Sequence, residues 1–509
     1  MTKEFFFNFF KHYWLVLATV GLIIFTFTLS LNQLFFFQFV DEEDNFILGH
    51  FLLSGQKLYS QLFSHHQPFA YLISAFLQWV FHPEGILELV RLHRYFMIAW
   101  ATFWIGLLIW RFQVKVFFPL VVYEILKLYL LGNLFLSEAL AVYPVIYLVM
   151  TLLIKIKSPK EYIWIGLLVG FLILLLAPLW PLLLIYTGLL FWQMPKKKTF
   201  SWFLTGIIFP FLIVLPFVDI YYYFHNVFYI NFKYYIPQSA EEKMPWAFIK
   251  AFFSPLILLS GPNTVNTLSL NLKVILAIFM IGIFGLVRQK KYFLIIIILG
   301  FLTLTNVRYY APYLEYKAGF HNLVWVGIFL VFTFYSYLVY LQSVRNIVLR
   351  SILGILLLVL IVGMYFLSPV MFYKQDNNEN FKVNYREKIV FGESIKAMRL
   401  SGDSLFVIPD EWLLYFQGDV QNYSRMVNYY GWMSLVWELN DPVKEKFVQD
   451  PPAFFYCDCP EETVLSYSDK FQQLSRNGAK TPLWILKSKF ALLNDIQKQK
   501  LRDLSFQLE

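Results

Sequence analysis

Long uncharged runs recur along this chain from residue 13 to residue 369, and the first of them covers residues 13–40. About 20 apolar residues in a helix cross the hydrocarbon core of a bilayer. Of the 509 residues, 59% are hydrophobic and only 15% are charged, whereas an ordinary soluble domain has about 25% charged residues. The runs therefore predict an α-helical polytopic membrane protein. They exclude a soluble enzyme, a disordered chain and a secreted disulfide scaffold.

The formal net charge of +9 is concentrated before residue 370. The segment 370–509 contains 17 Lys and Arg against 19 Asp and Glu, which leaves 25 against 14 for the preceding region. The basic excess lies in short loops between apolar runs. It therefore indicates orientation by positive residues on the cytoplasmic side rather than nucleic-acid binding, and nucleic acid is not an expected partner.

The basic loops also decide the number of helices. The run 69–81 has 13 residues, which is too few to cross a bilayer. If this run lies flat outside, every later basic loop falls on the cytoplasmic side, together with the N-terminus. The expected protein is a multi-pass plasma (inner) membrane protein with about 11 transmembrane helices, at residues 13–38, 93–111, 116–135, 137–154, 162–177, 179–194, 200–219, 270–287, 292–307, 322–341 and 350–368.

Two domains follow from this topology. Residues 1–369 form the transmembrane domain, which includes an external loop 41–92 with juxtamembrane helices and an external loop 220–268. Residues 370–509 change to a charged, turn-rich composition and predict a soluble extracytoplasmic α/β domain. In this tail the patterns predict strands at 405–408, 453–456 and 483–486, and helices at 386–400, 461–474 and 491–504.

The first external loop carries an ordered set of motifs. It opens with Asp41-Glu42, continues through a helical stretch to Gly55, and then gives Leu58-Tyr59 and His65-His66-Gln67-Pro68. This order resembles the first extracytoplasmic loop of the GT-C superfamily of integral-membrane glycosyltransferases. It is most similar to the branch that contains protein O-mannosyltransferases and the aminoarabinose transferase. In one departure, many relatives have Lys before the proline, where this chain has Gln67.

The resemblance covers the whole chain loosely and implies both a fold and an activity. The implied fold is GT-C-like, with an odd number of helices, a cytoplasmic N-terminus and an extracytoplasmic α/β tail. The implied activity is transfer of a hexose or pentose from a polyprenyl-phosphate-linked donor to a protein, lipid or glycan acceptor on the extracytoplasmic face. Such a reaction inverts the anomeric centre. Membrane lipids and the lipid-linked donor are the expected partners.

Asp41 is the candidate general base of such a reaction. Attack by an acceptor hydroxyl on an anomeric carbon needs a base within hydrogen-bonding distance, and a carboxylate also stabilises the positive charge that develops on the sugar ring. The alternative is a solvated acidic turn. Acidic residues have little effect on topology, which favours function for Asp41 and leaves both readings open for Glu42. Glu43 and Asp44 are expected to be solvated.

Glu138 is a second catalytic candidate. It lies at the outer end of an apolar run, shortly after Gly132-Asn133. Relatives carry an acidic residue at this external turn, where it is proposed to contact the acceptor or the base. An interfacial carboxylate that reaches out to water would give the same pattern, so both readings stay open.

The departing lipid phosphate calls for charge-assisted hydrogen-bond donors. Relatives have an Arg or Tyr near the late external turn, where Arg308 has the matching position. An interface anchor in an aromatic belt is the alternative for Arg308. By location, the substrate-binding candidates are Tyr59, His66, Arg308, Tyr310, Lys317 and His321.

No metal site or other common catalytic signature is evident in the sequence. The chain has two cysteines, and no nearby His completes a zinc set. It has no Gly-rich phosphate loop and no zinc-binding His-Glu-x-x-His pattern. Metal use varies within the superfamily, so a divalent metal stays open without a ligand set to support it.

A transporter, a lipid flippase or a non-catalytic polyprenyl-phosphate-binding protein is the competing class. Transporters have ionisable residues and broken helices near the midplane, often in repeated halves. Here the ionisable residues concentrate at external helix ends and no repeat is visible. Glu124 and Lys127 are an exception within the membrane, and their spacing of three predicts a structural ion pair.

Overall fold

The computed structural model describes residues 3–154, 158, 160–193, 197–239, 266–305, 319–366, 374–459 and 469–507. The chain divides into two compact units, each assembled from separate stretches of sequence. The first unit comprises Met1–Leu34, Arg94–Ile213 and Ala240–Asp376, and the second comprises Phe35–His93, Val214–Ser239 and Asn377–Glu509. The predicted domain boundary at 369/370 lies outside the described residues.

Helices account for most of the described chain before residue 367. In chain order they are α1 Lys3–Asn32, α2 Val40–Leu53, α3 Phe69–Phe81, α4 Ile86–Phe112, α5 Val114–Leu126, α6 Ser137–Leu153, α7 Glu161–Leu175, α8 Trp180–Gln193, α9 Lys197–Val214, α10 Ile220–Phe224, α11 Ile236–Ser239, α12 Asn266–Arg288, α13 Tyr292–Leu304, α14 Leu323–Ser343 and α15 Ile347–Phe366. A π-helical segment, His225–Tyr235, joins α10 to α11.

Six of the described helical segments are long and apolar enough to cross a membrane: Tyr13–Asn32, Ile86–Phe112, Thr199–Phe217, Leu270–Arg288, Gly319–Ser343 and Ile347–Phe366. Five shorter apolar segments are also helical: Phe69–Phe81, Ser137–Leu153, Glu161–Leu175, Ala177–Gln193 and Tyr292–Leu304. These lengths and compositions identify a membrane protein. The number of about 11 transmembrane helices stays a prediction.

The first unit is built around α14, which packs against α5, α6 and α12. Two glycines allow α7 and α9 to approach closely. A Cβ on Gly166 would lie 2.1 Å from the carbonyl oxygen of Phe203, and a Cβ on Gly206 would lie 2.2 Å from that of Ile163. Any larger residue at either position would force the two backbones apart.

The predicted ion pair within the first unit is confirmed. Lys127 Nζ lies 2.5 Å from Glu124 Oε2, and both side chains are buried. Tyr143 on α6 donates a 2.6 Å hydrogen bond to the other carboxylate oxygen. Because both charges are compensated within the buried cluster, the pair has the structural role that its spacing indicated.

In the second unit, α2 packs on α3, and the tail adds helices and a sheet. The helices are α16 Asn377–Met398, α17 Leu413–Gly418, α18 Trp437–Gln449, α19 Lys487–Ala491 and α20 Asp495–Asp503. The strands are β1 Ser404–Ile408, β2 Gln421–Asn422, β3 Phe454–Cys457, β4 Phe471–Arg476, β5 Ala479–Leu486 and β6 Phe506–Gln507. Their order is β2-β1-β3-β5-β4-β6, with parallel pairing on one side of β3 and antiparallel pairing on the other.

The α/β prediction for the tail is confirmed, with one element wrong. Each of the three predicted strands has its counterpart in β1, β3 or β5, and α16 and α20 occupy two of the predicted helical segments. The predicted helix 461–474 is wrong at residues 471–474, which belong to strand β4, and its residues 461–468 lie outside the described residues. The turn Asn477-Gly478 has positive φ at both residues, which is typical of a two-residue hairpin. This hairpin pairs β4 with β5 and overrides the helical spacing of Phe471 and Leu474.

Candidate active site

The acidic cluster of the predicted first external loop begins α2. Phe39 is extended (φ −148°, ψ 130°), so the helix begins at Val40 and has Asp41, Glu42 and Glu43 in its first turn. The unpaired N–H groups of a helix N-terminus favour negative charge there. Asp41 is exposed, whereas Glu42 and Glu43 are fully buried. In this conformation Asp41 is therefore the carboxylate of this turn that a substrate can reach.

Asp44 was expected to be solvated, and it is instead half-buried and hydrogen-bonded to Tyr71 of α3. Tyr71 Oη donates to Asp44 Oδ2 at 3.1 Å and lies 2.8 Å from Ser64 Oγ. Ser64 Oγ accepts from the backbone N–H of His66 at 3.0 Å. Burial raises the pKa of Asp44 to about 8, the Tyr71 hydrogen bond opposes this rise, and the Asp41 carboxylate adds to it. Asp44 therefore holds a proton for most of the time at neutral pH.

Glu43 was also expected to be solvated, and it is instead fully buried. Gln38 Nε2 donates to Glu43 Oε1 at 2.9 Å. Lys388 on α16 lies between two carboxylates, with its Nζ 3.3 Å from Glu43 Oε2 and 2.6 Å from Glu411 Oε2. Burial raises the pKa of Glu43 to about 7, although the charge of Lys388 opposes the rise. The long-range partner Lys388 is the reason that this acid can be buried.

Tyr430 of the tail lies close enough to the acidic cluster for the cluster's carboxyl groups to affect its pKa. Burial raises the pKa of Tyr430 well above its ordinary value, and the carboxyl groups of Asp410, Asp44 and Asp41 raise it further. The phenol is therefore a hydrogen-bond donor at every physiological pH. Sequence reasoning missed Tyr430, because no local motif marks its segment.

Tyr59 shapes the loop that presents His66. It is fully buried, and its backbone has a φ of 73°, which is rare for a residue with a side chain. Tyr59 Oη donates to the carbonyl oxygen of His66 at 2.8 Å. The His66 side chain is exposed. Substrate contact by Tyr59 and His66 stays a prediction, and the observed role of Tyr59 is to hold the backbone of the loop.

His65 and Gln67, on either side of His66, have other roles. The ring centroids of His65 and His66 lie 4.0 Å apart. Burial lowers the pKa of His65 well below its ordinary value, and His66 adds to the effect, so His65 is neutral. Gln67, which precedes the proline of this loop, accepts from Tyr223 Oη at 2.8 Å. It supplies no positive charge to this loop.

The first unit brings together two of the predicted site residues. Glu138 lies in the first turn of α6 and is buried. His321 lies in a 3₁₀ turn, Gly319–Asn322, and its Nδ1 is 3.1 Å from Glu138 Oε1. Arg308, Tyr310 and Lys317 lie outside the described residues.

Within the described part of the chain, no three His, Cys, Asp or Glu side chains are grouped so that they could hold a metal ion. The Lys388 cluster contains two carboxylates, but a lysine ammonium occupies the space between them. Metal dependence stays a prediction without a supporting ligand set.

No family model matches the chain, and no curated protein sequence matches it. Its structure is similar to the crystal structure of ArnT from Cupriavidus metallidurans bound to undecaprenyl phosphate. The TM-score is 0.53 at 12% sequence identity, and the similarity covers 93% of this chain and 98% of the ArnT chain. At this identity the similarity shows a shared fold. The fold of this chain is therefore similar to that of ArnT.

Proposed function

We propose that the chain is a glycosyltransferase that moves a hexose or pentose from a polyprenyl-phosphate-linked donor to an acceptor on the extracytoplasmic face of the membrane. One observation carries the proposal: the fold is similar over nearly the full length of both chains to an ArnT that was crystallised with undecaprenyl phosphate. The first external loop adds support, because its motifs are similar to those of GT-C transferases and its acidic residues begin a helix.

Asp41 is the proposed general base. Its exposed carboxylate takes the proton of the acceptor hydroxyl while the acceptor oxygen forms a bond to the anomeric carbon. The bond between that carbon and the phosphate oxygen breaks, and polyprenyl phosphate leaves with the bonding electron pair. Attack from the side opposite the phosphate inverts the anomeric centre. The sugar and the phosphate come from the donor, so atoms and charge balance without another reactant.

Asp44 supports this role by keeping its own proton. Its pKa of about 8 leaves it mostly uncharged at neutral pH. Asp41, three residues earlier on the same helix, then does not face a second negative charge from residue 44. Two interacting carboxyl groups that hold one proton between them divide into an acid and a base. Glu42 is buried and is proposed as a supporting residue.

The other predicted residues also have proposed roles in the mechanism. No distance from them to the substrate is assigned. Glu138, paired with His321, is proposed to contact the acceptor or the base. His66, Arg308, Tyr310 and Lys317 are proposed as contacts of the donor phosphate, whose negative charge grows as the sugar departs. The proposed location is the plasma (inner) membrane, with the N-terminus cytoplasmic and the tail extracytoplasmic.

The deciding experiment measures sugar transfer by the full chain in lipid nanodiscs. A panel of labelled polyprenyl-phosphate sugars is offered together with cell-envelope extract, and product is counted for the wild type and for Asp41→Asn. Because general-base catalysis contributes about 100-fold or more, Asp41→Asn should transfer at least about 100-fold more slowly. Asp469→Asn removes an exposed carboxylate of the tail and should leave the rate unchanged.

Two other outcomes distinguish the identity of the base from the presence of transfer activity. Full transfer by Asp41→Asn would show that another group is the base. If neither protein transfers any sugar but both bind the lipid carrier, a flippase or a non-catalytic binding protein becomes the better reading.

A further inference from the structure

Arg425 has no role in the proposed reaction. It lies in the second unit beside the loop between α2 and α3 that contains His66. It follows strand β2, and its carbonyl oxygen accepts from the backbone N–H of Phe63 at 2.7 Å. Phe63 is three residues before His66, and its ring lies 6.3 Å from that of His65. The backbone hydrogen bond therefore fixes the position of Arg425 next to the loop motif.

The guanidinium of Arg425 contacts two aromatic rings. Its Cζ is 5.7 Å from the ring centroid of Phe63 and 5.6 Å from that of Tyr222. Both distances are typical of cation–π interactions, in which a ring covers the flat face of the guanidinium. The five N–H donors of an arginine point outward in the plane of the group, so such contacts leave the donors unused.

These donors have no acceptor among the residues that the structure describes. The carboxylate of Glu438 acts on Arg425 through its charge, and Glu438 Oε2 is held by His225 Nε2 at 2.8 Å. Arg111 and Arg476, by contrast, reach oxygen acceptors at 2.7 Å and 3.1 Å. The guanidinium of Arg425 differs from both, because its contacts with the described residues are the two aromatic rings.

The surroundings of Arg425 favour an anion. The residue is partly buried, and burial lowers its pKa. A positive charge with part of its hydration removed and no acceptor among the described residues gains free energy when an oxyanion supplies one. The side chain is also partly exposed, so a ligand can reach it from solvent.

We propose that Arg425, held by Phe63 and Tyr222, is a binding site for an oxyanion of a ligand, a phosphate or a carboxylate, which it takes through paired N–H···O hydrogen bonds. Arginine rather than lysine suits this role, because its fork matches the two oxygens of such a group. The oxyanion belongs either to a lipid phosphate or to an acidic soluble ligand. The site does not require that the chain transfer a sugar, since binding alone defines it.

The test measures binding of three probes to the full chain in phosphatidylcholine nanodiscs: undecaprenyl phosphate, inorganic phosphate and galacturonate. We expect the wild type to bind at least one of them. Arg425→Gln should weaken that binding by about 10-fold to 100-fold, the range for hydrogen bonds to a charged group. Arg425→Lys should lose less. Arg502→Gln, which removes an exposed charge from the same tail, should bind like the wild type.

A second measurement separates ligand binding from a structural role. Without any probe, Arg425→Gln should unfold at the same temperature as the wild type or higher, because it removes a partly buried charge that has no acceptor in the described part of the chain. Tyr222→Leu keeps the charge and removes one ring, and it should weaken binding about threefold. A variant that binds is by that fact folded.

The probes also identify the source of the oxyanion. Weakening confined to undecaprenyl phosphate assigns the site to a lipid, and weakening confined to inorganic phosphate or galacturonate assigns it to a soluble ligand. Binding of every probe by Arg425→Gln as by the wild type would overturn the proposal, as would a wild type that binds none. Neither result depends on the transfer assay.

Discussion

Two carboxyl groups, one in each unit, differ in burial and in partner: Glu124 is fully buried and Asp44 is half-buried. Glu124 in the first unit has Lys127 one helical turn away, with Nζ and Oε2 at 2.5 Å. Asp44 in the second unit has the hydroxyl of Tyr71, which is 27 positions away in sequence. In the described part of the chain, no Lys, Arg or His forms an ion pair with Asp44. One acid thus has a compensating charge, and the other has only a hydrogen bond.

This difference separates structural acids from acids whose charge can change. A lysine compensates the charge of a buried carboxylate, and the resulting pair serves packing. A hydroxyl does not compensate the charge, so burial raises the pKa of Asp44 to about 8. A group with a pKa near the working pH can take or release a proton there. Asp44, the acid that titrates near this pH, lies on α2 three residues after the proposed base, Asp41.

The largest expected effect comes from breaking the compensated pair. Lys127→Met leaves Glu124 buried without its cation, which should lower the free energy of unfolding by about 3 to 5 kcal/mol. Denaturant unfolding in detergent measures the change. Combining Lys127→Met with Glu124→Gln should restore most of it, because no charge is then left uncompensated.

Lys382→Met is the control for this change. Lys382 pairs with Glu379 at 2.7 Å, also three residues apart, but both side chains are more than half exposed. Exposed pairs contribute about 0 to 1 kcal/mol, so the control should unfold almost like the wild type. Equal losses in Lys127→Met and Lys382→Met would contradict the assignment of Glu124 as a buried, compensated acid.

The next effect is a pH dependence that Asp44 should impose on stability. Its pKa rises from 3.8 to about 8 on folding, so between these values the folded state binds a proton that the unfolded state has released. The free energy of unfolding therefore falls as pH rises from about 4 to about 8, by at most about 1.4 kcal/mol per pH unit. Glu43, with a pKa of about 7, acts in the same direction.

Asp44→Asn should flatten this slope, most clearly near pH 8, about one unit above the pKa of Glu43. Asp469→Asn, which changes an exposed acid, should keep the wild-type slope. The measurement is the unfolding free energy at a series of pH values. A slope that is unchanged in Asp44→Asn would mean that Asp44 is ionised in the folded protein.

Sequence reasoning succeeded where the partners are local. The spacing of three between Glu124 and Lys127 indicated their ion pair. The helical stretch that ends before Gly55 corresponds to α2, and Gly55 has the positive φ of 86° that favours glycine at a helix end. Short apolar runs in the tail indicated its strands β1, β3 and β5. Each of these signals lies within one turn or one strand.

Sequence reasoning failed where the partner is distant. Glu43 is buried because Lys388, 345 positions later, contacts it, and no pattern near Glu43 predicts this. The helix expected at 461–474 failed for a different reason, because the hairpin signal Asn477-Gly478 lies just beyond it. Asp41 and Glu42 lie in the first turn of α2, and Glu138 lies in the first turn of α6; their burial and partners came only with the fold. Their catalytic roles stay predictions.

The smallest expected effect comes from removing the hydroxyl that holds Asp44. Tyr71→Phe deletes the 3.1 Å hydrogen bond to Asp44 and the 2.8 Å contact with Ser64, which should lower the free energy of unfolding by about 1 kcal/mol. That hydrogen bond holds the pKa of Asp44 down, so the pH-dependent loss of stability should extend to higher pH. Tyr221→Phe, at an exposed tyrosine, is the control and should change neither quantity. If Tyr71→Phe instead moves the titration to lower pH, the hydroxyl stabilises the protonated form of Asp44, and the contrast with Glu124 has another origin.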